Sequence, residues 1–138
     1  MKDVELPLRK AYTLALKNIG VPVYYQNLPN DISATSYVLI TIPTSTDDSN
    51  KHNNGTETSV RIGIYTSAEN VNTGQSAANI ANAIYGAILP NPTATLTLDG
   101  LQMISTVLRS DTTEDFKQKN TIIYIDRFIT FTHKINHK

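Results

Sequence analysis

The sequence contains no cysteine and no tryptophan, and charged residues make up only 17% of the chain. Without cysteine there are no disulfides and no thiolate metal ligands, which favours a cytosolic protein. No stretch approaches the roughly 20 apolar residues of a membrane-spanning helix. The first residues, "MKDVELPLRK", also lack the apolar centre of a signal peptide. These absences predict a soluble, non-secreted protein.

Neither sign of charge dominates, because 12 basic residues balance 12 acidic ones and no basic block occurs. Binding to DNA or RNA depends on clustered Lys and Arg, so we expect no specific nucleic-acid binding and no membrane partner. The polar surface comes instead from 18 Thr and 13 Asn, which favour strands and turns. The length of 138 residues allows a buried core, and we expect one domain over residues 1–138.

Two segments have the apolar spacing of amphipathic helices. The first is "LPLRKAYTLALKNIG" (6–20), and the second is "NVNTGQSAANIANAIYGAIL" (70–89), with Asn72 or Thr73 as its cap. The predicted buried positions are Leu8, Ala11, Tyr12, Ala15, Leu16 and Ile19 in the first, and Ala77, Ile80, Ala81, Ile84, Ala87 and Ile88 in the second.

Six segments have the alternation or the apolar content of β-strands. They are "VPVYYQN" (21–27), "SYVLITI" (36–42), "TETSVRIGIYTS" (56–67), "TATLTL" (93–98), "LQMISTVLRS" (101–110) and "TIIYIDRFITFTHKI" (121–135). Pro22 indicates that the first strand starts there or lies at an edge. The length of the last predicts a bulge or bend near Asp126 and Arg127. We predict an α+β fold in the order α-β-β-β-α-β-β-β, with an antiparallel or mixed sheet of about six strands and two helices.

Two polar segments interrupt this pattern. The stretch "TSTDDSNKHNNGTET" (44–58) holds no apolar side chain larger than a threonine methyl, although strands flank it on both sides. The connector "DTTEDFKQKN" (111–120) carries Phe116 as a lone apolar residue among charges. We predict both as loops that can order on a partner, although Phe116 can equally pack back onto its own domain.

Patterns of catalytic or metal-binding residues are absent from the sequence. It has no G-x-S-x-G, H-E-x-x-H, Walker or EF-hand pattern, so we expect no catalytic residue, cofactor or metal. Asp47 and Asp48 could form a carboxylate pair, but a solvated loop accounts for them better. His52 lies in the same loop, and we expect His133 and His137 to lie in a solvated C-terminal tail.

The order and spacing of these elements resemble the phage tail terminator and tail-completion family over nearly the whole chain. The resemblance rests on the N-terminal helix "LRKAYTLALKN", the strand "SYVLITI", a variable polar loop and the alternating strand "SVRIGIYTS". An alanine-rich helix, "SAANIANAIYGAIL", then precedes "LTLDGLQMISTVLRSD" and the long terminal strand "YIDRFITFTH". The sequence departs from the family at Tyr65, where relatives commonly carry a Trp or another bulky aromatic residue, and its polar loop is longer than is usual.

This resemblance implies a structural virion protein and not an enzyme. It implies a homo-oligomer, most commonly a hexameric ring, that docks on the tail-tube protein and ends tube polymerisation. The ring would present a surface to the head connector or head-completion protein, in the virion tail and neck, after assembly in the host cytoplasm. The candidate partner-interface residues are Asp47, Asp48, Lys51, His52, Asn54, Glu114, Asp115, Phe116, Lys117, Asp126 and Arg127.

Two other functions remain open from the residues alone. A non-catalytic adaptor or assembly chaperone could use a sheet edge and the same polar loops. A small hydrolase would have to use Asp47, Asp48 or His52. The pair Asp126 and Arg127 is compatible either with an exposed strand face or with an interface ion pair.

Overall fold

The computed structural model describes residues 3–29, 36–47, 49, 55–69, 73–114, 117–119 and 122–137. Its elements are α1 (Glu5–Ala15), β1 (Val23–Tyr25), β2 (Ser36–Asp47), β3 (Gly55–Glu69), α2 (Thr73–Ile88), β4 (Leu101–Thr113), β5 (Lys117–Lys119) and β6 (Ile122–His137). The α+β class, the mixed sheet and the two helices are confirmed.

Five strands follow one another across the sheet in the order β1-β2-β3-β6-β4, and the short β5 pairs with β6 off this path. The β1–β2 pair is parallel, and all the other pairs are antiparallel. β1 is therefore an edge strand, as Pro22 predicted, and β4 forms the opposite edge. The β3–β6 ladder runs without a register shift from Gly55 opposite Asn136 to Glu69 opposite Ile122.

The core lies between the two helices and one face of this sheet. Alternation along β3 buries Val60, Ile62 and Ile64, as the period-2 pattern predicts. The predicted helical stripes are also confirmed in their main positions. The buried helical side chains are Leu8, Tyr12, Leu16, Ala77, Ile80, Ala81, Ile84 and Ile88, and they meet Val38, Ile40, Ile129, Phe131 and Ile135 from the strands.

The predicted strand at residues 93–98 is wrong. Among these residues only Leu98 pairs, in a single bridge to Leu101 across a turn in which Gly100 has a φ of 69°. The Asn91 side chain accepts hydrogen bonds from the backbone N–H and the hydroxyl of Thr93, which holds the chain in a turn. Asp99 and Gly100 therefore form a turn, as predicted, but the pairing before this turn is limited to the single bridge at Leu98.

The boundaries of the long strands also differ from the prediction. Residues 111–113 belong to β4 and residues 117–119 form β5, so part of the predicted connector is β-structure. The expected bend at Asp126 and Arg127 is wrong, because β6 pairs continuously with β3 there. The register shifts lie elsewhere, between Thr41 and Thr44 in β2 and at two points in β4.

A chain of polar contacts is buried beneath α1, and His133 lies at its centre. The Tyr12 hydroxyl lies 2.6 Å from His133 Nε2, and His133 Nδ1 lies 2.9 Å from the Thr106 hydroxyl. The Thr106 hydroxyl in turn donates to Met103 Sδ at 3.3 Å. Because the Thr106 hydroxyl donates to Met103, His133 Nδ1 donates to Thr106; burial lowers the pKa of His133, which favours the neutral ring whose Nε2 accepts from Tyr12. The prediction that His133 lies in a solvated tail is wrong, since its side chain is fully buried.

Candidate assembly surfaces

The polar stretch at residues 44–58 is not a single loop, because both of its ends belong to strands. Residues 44–47 complete β2 and pair with residues 56–59 of β3, which also pair with β6; we call these two paired segments the β-hairpin arm. The Ser45 and Thr58 hydroxyls lie 3.1 Å apart, and Asp47 pairs with Thr56 at the last described rung. Threonine-rich strands can form such an arm without an apolar face because Thr suits a β-ladder.

The structure describes three of the predicted interface residues in these two polar segments: Asp47 in the arm, Glu114 after β4 and Lys117 in β5. Asp47 is exposed, and its carboxylate accepts hydrogen bonds from the Ser49 backbone N–H and hydroxyl. Glu114 is exposed, and its backbone N–H donates to the Asp126 carbonyl oxygen; Lys117 begins β5. The remaining ones, Asp48, Lys51, His52, Asn54, Asp115 and Phe116, lie outside the described residues.

Asp126 and Arg127 point to opposite faces of the sheet, since neighbouring strand residues alternate. Arg127 forms a bidentate ion pair with Asp111 of β4, with nitrogen–oxygen distances of 2.8 and 2.7 Å. The Tyr85 hydroxyl of α2 donates to the same carboxylate at 2.6 Å. The Arg127 guanidinium lowers the pKa of Asp111, whereas burial and the bond to Asp111 raise the pKa of Tyr85 to about 12. Asp111 of β4 thus joins Arg127 of β6 to Tyr85 of α2 within one copy of the chain.

We expect Asp111→Asn to destabilise the fold by about 1 kcal/mol, because it removes the charge-assisted bonds to Arg127 at a partly exposed site. The pKa of Asp111 is lowered in the folded state, so its contribution is present at neutral pH and is lost as the pH falls through that lowered pKa. Urea unfolding at pH 7 measures the effect. Asp99→Asn, at an exposed turn, is the matched control; equal losses in both variants would contradict a stabilising pair.

The sheet face opposite the helices carries a row of half-buried aromatic rings, which we call the aromatic row. Its ring centroids are separated by 6.1 Å from Tyr24 to Tyr37, 5.0 Å from Tyr37 to Tyr65 and 5.8 Å from Tyr65 to Phe128. The Arg61 guanidinium lies over Phe128 at 4.1 Å. The sequence contains these residues as the outward positions of predicted strands, but the row appears only once the strand order is known.

Gly63 makes room for the aromatic row. A Cβ atom at this position would lie 2.8 Å from a ring carbon of Tyr65, closer than side chains approach one another. We expect Gly63→Ala to displace the Tyr65 ring from its stack on Tyr37 and to cost about 1 kcal/mol, the usual value of such a ring pair.

Gly86 provides the matched control for this prediction. It lies in α2 with open space around its Cα, so Gly86→Ala is expected to stabilise the fold by roughly 0.5–1 kcal/mol. Thermal unfolding of both variants gives opposite signs if the prediction holds. A Gly63→Ala variant that is as stable as Gly86→Ala would contradict the tight contact.

Two further apolar patches are exposed, and both were missed from the sequence because they lie on elements whose other side is buried. On α1, Leu6 is 54% and Leu14 is 74% exposed. On β4, Ile104 is 48% and Val107 is 54% exposed, and Leu108 lies beside them at 39%. The sequence signal for the first patch was present, since Leu6 and Leu14 fall off the predicted buried stripe.

Metal-binding and membrane-spanning features are not found in the part of the chain that the structure describes. Among those residues, no group of three or more His, Asp or Glu side chains is arranged to hold a metal ion. No described helix has the length and apolar character needed to cross a membrane.

The fold is similar over its full length to solved structures. One is a chain from the "virion of native gene transfer agent (GTA) particle", with a TM-score of 0.71, 19% sequence identity and coverage of 99% of both chains. A second solved chain has a TM-score of 0.55 and 12% identity, with coverage of 94% of this chain and 92% of that one. At these identities the likeness is one of fold. No protein-family model matches the sequence, and no curated protein matches it either.

Proposed function

We propose that this chain is a non-enzymatic, structural virion protein of a tailed phage or phage-like particle. Several copies, in the proposed arrangement six, close into a homomeric ring on the last ring of tail-tube subunits. The ring ends tube polymerisation and offers its other side to the head connector or head-completion protein. The chain is assembled in the host cytoplasm and remains in the tail and neck of the virion.

The observation that carries this proposal is the similarity of fold to a chain of a gene transfer agent virion, with a TM-score of 0.71 over 99% of each chain. A shared fold does not by itself fix a function, so the surfaces must also suit assembly. They do so in two respects. The chain is neutral overall, which limits repulsion between copies, and it exposes separate apolar patches on α1 and β4.

The β-hairpin arm suits contact with the tube. Its Ser45 and Thr58 hydroxyls bond across the two strands, whose register is fixed up to the pair of Asp47 and Thr56. A polar arm of this kind can form hydrogen bonds with a partner without exposing apolar surface beforehand. The candidate residues Asp48, Lys51, His52 and Asn54 lie in sequence between the two strands of the arm, and we assign Asp115, Phe116 and Lys117 to a second contact.

Electron microscopy of tubes grown from tail-tube protein tests this function. Added at the start of growth, the chain is expected to shorten the tubes and to appear as a ring at one end of each. Light scattering of the chain alone measures whether copies associate before docking. Tubes of unchanged length with no extra density at their ends would contradict the proposal.

A non-catalytic adaptor or assembly chaperone is the second candidate, because both edge strands of the sheet, β1 and β4, are unpaired on one side within the described chain. A partner segment could add a strand to either edge. Mass spectrometry of purified particles separates the two functions. A virion protein is found at low copy number in the particle, whereas a chaperone is absent from it and is recovered with its client in infected cells.

A further inference from the structure

We infer that neighbouring copies join head to tail, with the exposed stripe of α1 from one copy seated on the β4 edge of the next. The α1 stripe consists of Leu6, Arg9, Lys10, Thr13, Leu14 and Lys17, which lie together on the outward side of the helix. The β4 edge consists of Ile104, Val107 and Leu108. This inference rests on the proposed ring and assigns the two surfaces that build it.

The α1 stripe is unusual for the outward side of a helix, because it is apolar and cationic at once. Its two leucines are 54% and 74% exposed, and no acidic residue interrupts the run from Leu6 to Lys17. The helix is already held by its other side, where Leu8, Tyr12 and Leu16 are buried. Within one copy, the leucines of the stripe therefore remain exposed to solvent. Their burial against a second copy would be favourable through the hydrophobic effect.

The β4 edge is a free strand edge of the kind that soluble proteins normally protect. β4 pairs with β6 on one side, and only its start is approached on the other, by the bridge from Leu98 to Leu101. From Ile104 onward, the described chain places no strand on that side. Covering an edge with a helix is one of the ways by which proteins prevent uncontrolled strand pairing. In the ring, a helix of the neighbouring copy would provide this cover.

The two surfaces match in length. Leu6 and Leu14 lie eight residues apart, which is about 12 Å along an α-helix. Ile104 and Leu108 lie four residues apart, which is about 13 Å along a strand. Val107 pairs with Thr132 and Leu108 with Phe131, so their side chains lie on opposite faces of the sheet and flank the edge along which the helix would lie.

Charge also favours the pairing of unlike patches over the pairing of two α1 stripes. Two α1 stripes would bring three cations of each copy, Arg9, Lys10 and Lys17, against one another. The β4 edge is instead flanked by exposed carboxylates, Asp99 before the strand and Glu114 after it, while Arg109 is drawn toward Glu57 at 3.7 Å. An α1–β4 contact therefore brings fewer like charges together than a contact between two α1 stripes.

The two patches also have the placement that a closed ring needs. α1 is fastened to β1, since Arg9 lies 4.6 Å from the Tyr25 ring centroid and Gln26 donates to Glu5 at 2.7 Å. β1 and β4 are opposite edges of the sheet. A head-to-tail contact uses two different surfaces of each copy, and it closes into a ring when each copy binds one neighbour with each surface.

The test uses two full-length variants, Leu14→Glu and Val107→Glu, each of which places a charge in one patch and leaves the other intact. Alone, each variant is expected to be a monomer by light scattering at a concentration at which the wild type is a ring. Mixed in equal amounts, they are expected to form a dimer of twice the 15.2 kDa chain and nothing larger. The mixture retains one good contact, between α1 of the Val107→Glu copy and β4 of the Leu14→Glu copy.

Leu28→Glu is the matched control, because Leu28 is 38% exposed and belongs to neither patch. It is expected to form the ring as the wild type does. Circular dichroism and urea unfolding of all three variants establish that a monomeric result comes from a lost contact and not from unfolding.

The possible failures of the inference and of the proposed function are distinguishable. If the wild type forms a ring and either patch variant still forms it, the α1–β4 pairing is wrong while the ring stands. If both variants are monomers but their mixture stays monomeric, the two patches do not bind one another, and the inference is again overturned. A wild-type chain that stays monomeric, both free and at tube ends, overturns the pairing and the ring together.

Discussion

Lowering the pH from about 7 to 4 is expected to destabilise the folded chain by up to roughly 3 kcal/mol through His133 alone. Burial lowers the pKa of His133 from 6.5 to about 4 in the folded state. A shift of one pKa unit corresponds to about 1.4 kcal/mol, and the estimate follows from that conversion. This is a large part of the total stability of a small domain, which is about 5–15 kcal/mol.

The sign follows from proton binding. Between pH 6.5 and 4 the unfolded chain binds a proton at His133, and the folded chain does not. The stabilising contribution is therefore full above pH 6.5 and is lost as the pH falls toward 4. The geometry gives the same answer. The buried Tyr12 hydroxyl donates its proton to His133 Nε2, and a protonated imidazole carries an N–H at that position and can no longer accept it.

The measurement is the free energy of unfolding of wild type, His133→Gln and His137→Gln at several pH values between 4 and 7. His133→Gln loses ring packing and is expected to be less stable at every pH, but its stability should change much less across this range. His137→Gln is the matched control, since His137 is half-buried and bonds to Thr56 at the end of the sheet. A wild-type slope that survives in His133→Gln would contradict the role assigned to His133.

Shortening the β-hairpin arm is expected to abolish tube capping while the fold is kept. Asp47 and Thr56 are directly opposite one another, so residues 48–55 can be replaced by Asn-Gly, which forms a two-residue turn between paired strand residues. Among residues 48–55 the structure describes only Ser49 and Gly55; neither belongs to the hydrophobic core cluster, although Gly55 also pairs with Asn136 of β6. We expect unfolding within about 1 kcal/mol of wild type. The affinity for tube ends should fall at least tenfold, which corresponds to about 1.4 kcal/mol or more.

A variant with residues 48–54 replaced by a Gly/Ser segment of equal length is the matched control. It keeps the length of the arm and removes the side chains of Asp48, Lys51, His52 and Asn54. If these side chains make the contact, neither variant binds tube ends. If only the length of the arm matters, the Gly/Ser variant still binds and the shortened variant does not. Normal capping by the shortened variant would show that the arm is not the tube contact.

The sequence predicted the parts of the fold that local periodicity determines. Val60, Ile62 and Ile64 lie at every second position of their strand. On a sheet with one covered face, only one orientation of the strand buries all three side chains. The helical stripe from Leu8 to Leu16 is equally unambiguous, because the same residues cannot form a one-sided strand. Pro22 marked an edge strand because proline cannot donate to a ladder.

The errors arise where distant contacts decide the structure. "TATLTL" alternates as well as any strand, but the turn from Asn91 to Ala94 and the bond from the Leu96 N–H to Met103 Sδ give its backbone other partners. His133 lies near the C-terminus, where solvent exposure is common. Its burial depends on Tyr12, which is 121 residues away in sequence.

The candidate interface was the least predictable part, because partners leave no periodicity in a single sequence. The arm tip and the connector stood out by their polarity. The α1 stripe and the β4 edge became visible only when the structure showed which apolar residues remain outside the core. Leu14 is an example: it lies off the predicted buried stripe, and its 74% exposure shows that it stays outside the core, unlike Leu16 two positions later.

Cryo-electron microscopy of tail tubes capped in the presence of this chain tests the central claim most directly. The account predicts a single closed ring of copies at one tube end, with the β-hairpin arms directed at the tube and α1 of each copy against β4 of the next. Isolated copies scattered along the tube wall, or bare tube ends in the presence of excess folded chain, would contradict it.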